Sequence, residues 1–367
     1  MFNSASKKRR FDGELKPETT PPPPIIFEQP GFKVDARLTA FGQAFHVHSV
    51  ILKLYSAWFR QFLDSPDKKP APSGALFAYD YISVVDADGD GWGLEPVKTN
   101  SSTVTNEQSH GLETGGTEEE NIGGLQMLLS ALYNKRYFIE NYKQFNCCFL
   151  LADYYCALPK FSASLDGALR HSDSCLFVRN IETHSTELII AATRLRHPAL
   201  FRECLVYEVS RLDSGEDDFD ITTRFAYEHL PVQVAILAAR GNLQGLRAQA
   251  DMFIHDLDPA VKSVVFNCPA KLEMHRMYHQ TTRITSTNHA WFYRRVLNRL
   301  VDGGHLHTNG AEILWSLLAC NLSYNVGKVV GELVGPEGYE KEEDDKGFYC
   351  AEISDEHLPW DKEEIDW

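Results

Sequence analysis

From Phe32 the chain alternates: Phe32, Val34, Ala36 and Leu38 against Lys33, Asp35, Arg37 and Thr39. A period of two predicts a half-buried strand. Gly42-Gln43 supplies a turn and Ala44–Val47 a returning strand, so the stretch reads as a hairpin. At His48 the period changes to three and four, and a helix is expected as far as Leu63. His48, Leu52, Tyr55, Phe59 and Leu63 share one side of it, while Val50, Leu54, Trp58 and Phe62 form a second apolar line. At about 100° per residue the two lines cover an arc of roughly 220°. Ser49, Lys53, Ser56, Arg60 and Asp64 are left as a narrow polar remainder. A single core needs a stripe only a little over about 100° wide. This helix therefore sits deep in a large core, or faces its own core on one side and another chain on the other.

Beyond it, 65–73 reads as a Pro/Lys/Asp loop and Leu76–Val85, aromatic and β-branched, as a strand joining the hairpin's sheet. Residues 96–123, rich in Thr, Ser, Asn, Gly and Glu, are expected to be a disordered insertion. A helix resumes at Leu125, with Leu125, Leu128, Leu129 and Leu132 on one face. Another starts at Asn141 or Tyr142 and turns Phe145, Cys148, Phe149, Ala152, Tyr155 and Cys156 inward. Pro159 closes it, and a further helix covers Phe161 to Leu169.

Residues 181–335 look all-helical. Helices are predicted over Thr186–Leu195 and, after the His197-Pro198 break, Ala199–Leu212, with Leu200, Phe201, Cys204, Leu205 and Val209 inward. Pro231 starts Val232–Arg240, Gly241-Asn242 ends it, and Leu243–Leu257 follows. His289–Val301 and Ala311–Leu322 complete the set, without the fixed repeat period of a solenoid.

Composition narrows the class. The chain has 367 residues, 43% hydrophobic and 24% charged, which is ordinary for about two globular domains. No run of 18 apolar residues suggests a membrane span, and Met1-Phe2-Asn3-Ser4 does not open a signal peptide. Eight cysteines without a Cys-x-x-Cys pair read as reduced thiols of an intracellular protein. A net charge of −15 argues against general binding to nucleic acid or anionic membrane.

Residues 1–29 read as a disordered leader carrying Lys7, Lys8, Arg9 and Arg10, with polyproline at Pro21–Pro24. In a flexible tail the basic run fits either nuclear import or plain solvation, so nucleus and cytoplasm both stay open. The stretch 336–367 is an acidic tail with interspersed Tyr349, Trp360 and Trp367. Such a tail is either solvated or docked on a basic partner.

Asp35, Leu38, Gly42, Phe45, His48, Leu52, Ser56, Phe59 and Arg60 resemble, in order and spacing, the opening of a BTB/POZ domain. Leu150-Leu151-Ala152-Asp153-Tyr154-Tyr155 is similar to a later part of that family. The resemblance spans roughly 30–172 with the insertion removed, and 181–335 resembles the helical extension of stand-alone fungal members. It implies an α+β fold, a small sheet covered by helices followed by an all-helical domain. It also implies a protein-interaction module, usually dimeric. Ser49 stands where the family often has Lys or Arg pairing with the early Asp. Leu125-Gln126-Met127 lacks the carboxylate that cullin-binding members often show at the matching place.

Enzyme signatures are absent: there is no Gly-x-x-x-x-Gly-Lys-Ser/Thr, Gly-x-Ser-x-Gly or strand-led Gly-x-Gly-x-x-Gly. His46-x-His48 and His305-x-His307 could each set two imidazoles on one strand face, yet no third ligand completes either pair. Asp86–Gly91 resembles the start of a calcium loop, but position 12 is Val97 instead of a bidentate Glu. The expectation is thus a non-enzymatic scaffold or adaptor without cofactor or metal. It is expected to be homodimeric through Val50, Leu54, Trp58 and Phe62, with unidentified protein partners. Two narrower roles stay open: substrate adaptor of a cullin-type ubiquitin ligase, and transcription-associated cofactor in the nucleus.

Overall fold

The computed structural model describes residues 21–65, 74–86, 91–97, 111–170, 181, 183–213, 225 and 227–256, and beyond these only short stretches between 293 and 364. The architecture is mixed α+β. The chain falls into two compact units, Met1–Leu52 with Leu63–Glu113, and Lys53–Phe62 with Thr114–Trp367.

The first unit is built on a six-stranded mixed sheet of β1 (Ile25–Ile26), β2 (Ala36–Ala40), β3 (Gln43–Val47), β4 (Tyr79–Val85), β5 (Gly91–Pro96) and β6 (Leu112–Glu113). Their order across the sheet is β1-β3-β2-β4-β5-β6. β2 and β3 form the predicted hairpin, with Ala40 opposite Gln43, so its loop is the pair Phe41-Gly42. Both have positive φ, 46° and 86°, which is the twist a two-residue hairpin needs. β4 runs parallel to β2, with Leu38 opposite Tyr81, while β5 returns antiparallel to β4. Ala36, Leu38, Ala40, Phe45, Val47, Tyr81, Trp92 and Leu94 are buried.

The strand predicted from Phe32 begins four residues later. A turn closed by Phe32 N–H on the Gln29 carbonyl, with Gly31 at φ 85°, keeps the side chain of Phe32 57% exposed. Leu76 is likewise outside β4 and exposed.

Two strands and a helix start lie where irregular chain was expected. β5 and β6 flank residues 98–110, which fall outside the described residues, and helix α3 already starts at Glu118. The disordered insertion over 96–123 is therefore corrected at both ends. A composition rich in Thr, Gly and Glu hid a capping box: Thr117 Oγ1 accepts from Glu120 N–H at 3.2 Å, and Glu120 Oε2 accepts from Thr117 N–H at 2.8 Å. Glu118, Glu119 and Glu120 also suit the positive end of a helix dipole.

The second unit is helical. The segment between β3 and β4 holds two short helices, α1 (Ser49–Tyr55) and α2 (Ala57–Phe62). The later helices are α3 (Glu118–Leu132), α4 (Tyr142–Tyr154), α5 (Leu158–Arg170), α6 (Ser185–Arg194), α7 (Pro198–Asp213) and α8 (Leu230–Asp256). α3 and α4 approach so closely that a Cβ on Gly124 would lie 2.6 Å from Cys147 Sγ. α4 is tied to α6 by an ion pair between Asp153 and Arg194 at 2.5 Å. Tyr142 of α4 stacks on His184 at 4.1 Å, just before α6. Within α7 the carboxylate of Glu208 is fully buried and accepts from the hydroxyls of Ser185 and Thr186 at the start of α6. The helices on either side of 172–181 thus share one compact unit, and the first half of α1, as far as Leu52, belongs to the sheet's unit.

α8 runs unbroken through Gly241-Asn242, correcting the predicted stop there. A glycine inside a helix costs about 1 kcal/mol, too little to end one buried along Val232, Ile236, Ala239 and Leu243. The described positions within the helices predicted at 289–301 and 311–322 are helical. Among the described residues, no helix is long and apolar enough to cross a membrane.

Candidate interaction face

The start of α1 is fixed by Asp35. Its Oδ1 accepts from Ser49 N–H at 2.7 Å and its Oδ2 from the Ser49 hydroxyl at 2.6 Å. The carboxylate thereby satisfies an orphan amide of the first turn and meets the positive end of the helix. Ser49, assigned to the polar remainder by pattern, is buried for this reason. His48 is buried at the strand-to-helix junction, its Nε2 3.3 Å from the Phe32 carbonyl. Asp35 is thus met by the amide and the hydroxyl of the same serine.

The predicted single rod from His48 to Leu63 is two helices broken at Ser56. The Ser56 hydroxyl donates to the Tyr155 carbonyl at 2.5 Å and accepts from Phe59 N–H at 3.0 Å, the bond of an N-cap residue. Ala57 N–H donates to the Cys156 carbonyl at 3.3 Å, so the start of α2 meets the carbonyl end of α4. Arg60 closes the break from the other side, donating to the carbonyls of Lys53 at 3.0 Å and Leu54 at 3.2 Å. Phe59 is buried and stacks on Tyr155 at 5.2 Å, with Trp58 edge-on to the same ring at 5.2 Å. Sequence reasoning missed Ser56, Arg60 and Tyr155 as one junction. The one available signal was a serine between two apolar runs, a residue type that prefers helix starts to interiors.

The two apolar lines differ sharply in burial. His48, Leu52, Phe59 and Leu63 are buried, whereas Val50 is 46% exposed, Leu54 57% and Phe62 39%. Trp58 is half-buried, its ring tilted against Phe62 at 4.9 Å. Val50 and Leu54 lie one turn apart on α1, and Trp58 and Phe62 one turn apart on α2. No family model, curated protein or solved structure matches this chain.

Among the described residues, other candidate chemistry is not assembled. His46 lies on β3 with its ring 4.7 Å from Phe77, and burial, then the nearby Arg37 charge, push its imidazole below the ordinary value. Arg37 is paired with Asp80 across β2 and β4, Nε to Oδ1 at 2.9 Å. Among the described residues, no three His, Cys, Asp or Glu side chains are grouped to hold a metal. Asp86 follows strand β4 and Gly91 starts β5, and Asp86 Oδ2 accepts from Gly111 N–H at 2.6 Å, so this carboxylate is engaged 25 residues further along the chain and neither side of the stretch is a helix. Burial raises the thiols of Cys147, to about 12, and of Cys148 and Cys204. Cys156, expected inward, is exposed because it leaves α4 at φ 50°. Lys7, Lys8, Arg9, Arg10, His305 and His307 lie outside the described residues.

Proposed function

We propose that this chain is a non-enzymatic interaction module of BTB/POZ type that pairs with a second copy through α1 and α2 and acts as a scaffold or adaptor. The observation that carries it is the exposure of Val50, Leu54 and Phe62 directly beside the buried Leu52, Phe59 and Leu63. An apolar line carried on capped helices is the kind of surface that marks an interaction site.

The sheet topology supports the family reading: a hairpin, two short helices, then a strand parallel to the first strand of the hairpin. The resembling positions also have physical tasks. Asp35 and Ser56 cap helices, Gly42 takes the positive φ of the turn, and Arg60 caps carbonyls. Leu38, Phe45, His48, Leu52 and Phe59 are buried.

The test is the full chain carrying Val50→Glu and Leu54→Glu together. Trp58 is spared because its ring packs on Phe59 and Tyr155. Light scattering should give a dimer for the parent chain and a monomer with unchanged circular dichroism for the double variant, self-affinity falling at least ~100-fold. A dimer that survives both glutamates would remove the assignment.

A further inference from the structure

The acidic segment expected to be solvated, or held by a basic partner, makes contacts with its own chain. Leu358 is buried, and the Trp360 ring stands edge-on to Phe201 of α7 at 5.3 Å and 85°. Four residues on, Glu364 meets Arg196. Nη2 donates to Oε2 at 2.8 Å and Nη1 to the Glu364 main-chain carbonyl at 3.3 Å. One guanidinium therefore reads both the charge and the backbone of a single residue, the planar-fork recognition for which arginine is suited.

Arg196 itself is unusual. It follows α6 at φ 47°, and its N–H bonds to the Thr193 carbonyl while the next amide, of His197, bonds to Ala192. That double bond pattern ends many helices, and its left-handed residue is most often glycine. Here the position carries a long cation instead, and the cation is spent on Glu364.

The segment does not fill its seat. Beside Leu358 and Pro359 a cleft of about 350 Å³ remains, walled by Leu230, Pro231, Val234, Ala235 and Ala238 of α8. Leu230 and Val234 stay exposed there.

We propose that this surface, made by Arg196, Phe201 and the first turns of α8, is a docking site for a short peptide of the form apolar–proline–aromatic followed by an acidic residue. Leu358, Pro359, Trp360 and Glu364 of the chain's own segment occupy it in cis. A partner protein presenting a segment of the same chemistry, with a larger apolar residue for the unfilled cleft, displaces the resident one. This site shares no residue with the pairing face on α1 and α2 and stands whether or not that face pairs copies.

A fluorescent peptide of residues 356–367, titrated by anisotropy into the full chain, tests it. A tethered competitor acts at an effective concentration near ~1 mM, so the parent chain should bind the peptide weakly. The full-length double variant Trp360→Ala, Glu364→Ala vacates the seat and should bind at least ~10-fold more tightly. Adding Arg196→Glu should return the affinity to the parent level or below. Equal binding by the parent chain and the vacated variant, or no binding by either, overturns the proposal. Should the vacated variant misfold, hydrogen exchange on the parent chain decides. Excess unlabelled peptide should speed exchange of the amides at 358–364, and unchanged protection at millimolar peptide overturns the proposal equally.

Discussion

On α1 and α2 the residues facing away from Leu52 and Phe59 stay bare, whereas over Phe201 the chain supplies its own Trp360. Both surfaces are apolar and both belong to helices, yet they are held differently. α1 is capped at its start by Asp35, and α2 is held by the bonds of the Ser56 hydroxyl and by the stacking of Phe59 on Tyr155, so each presents its outward residues from an anchored helix. The segment over Phe201 is held by the Trp360 ring contact, about 0.5–1.5 kcal/mol, by the buried Leu358, and by the Arg196 fork on Glu364, whose half-exposed ion pair adds about 0.2–1 kcal/mol. A bare face on anchored helices suits lasting association, and a cover held through a few side chains suits exchange. Exposed apolar area alone does not distinguish the two; what anchors the backbone beneath it does.

The largest expected break in that contrast is Phe59→Ala. Removing a buried, stacked aromatic should cost about 3–5 kcal/mol, seen as a lower midpoint in urea unfolding, and pairing should weaken with it. The glutamates at Val50 and Leu54 should instead abolish pairing while leaving unfolding of the monomer within about 0.5 kcal/mol of the parent. If both kinds of change act equally on stability, the bare face is part of the core.

Ser56→Ala comes next. It leaves the Phe59 amide and the Tyr155 carbonyl without their bond to the hydroxyl, and should cost about 1–2 kcal/mol in the same unfolding experiment. The docked segment at 358–364 should keep its exchange protection in that variant.

The smallest effect is pH. His46 has its imidazole held below the ordinary value of 6.5, by burial first and by Arg37 second. As pH falls through about 6.5 the unfolded chain takes up the proton before the folded one. Stability should therefore be level above that pH and decline slightly below it, and His46→Gln should flatten the decline. The proposed pairing rests on the apolar Val50 and Leu54 and should not follow it over the same range.

Much of the local structure could be read directly. Alternation placed the hairpin, since Ala36, Leu38 and Ala40 all turn inward, and spacing placed the buried leucines of α3 and the aromatic face of α4. What was misread has specific causes. Gly241 suggested a stop that long-range burial overrode. The helix ends after α3, α4 and α6 use Asn134, Cys156 and Arg196 at positive φ, with no glycine to announce them. Thr117 and Glu120 carried a start signal inside a stretch whose composition resembled disordered chain. The line Val50, Leu54, Trp58 and Phe62 was legible from periodicity as apolar surplus; in the structure Val50, Leu54 and Phe62 are exposed while Trp58 packs on Phe59 and Tyr155.

Sequence alone determined the α+β character, the hairpin and the presence of two apolar lines after His48, because side-chain period is a local property of backbone geometry. Only tertiary structure decided that the rod breaks at Ser56, which of the two lines is buried, and that Trp360 and Glu364 fold back onto Phe201 and Arg196. Those outcomes depend on partners 99, 159 and 168 residues away. A hydroxyl, a ring or a guanidinium shows no preference for such a partner until the chain has brought them together.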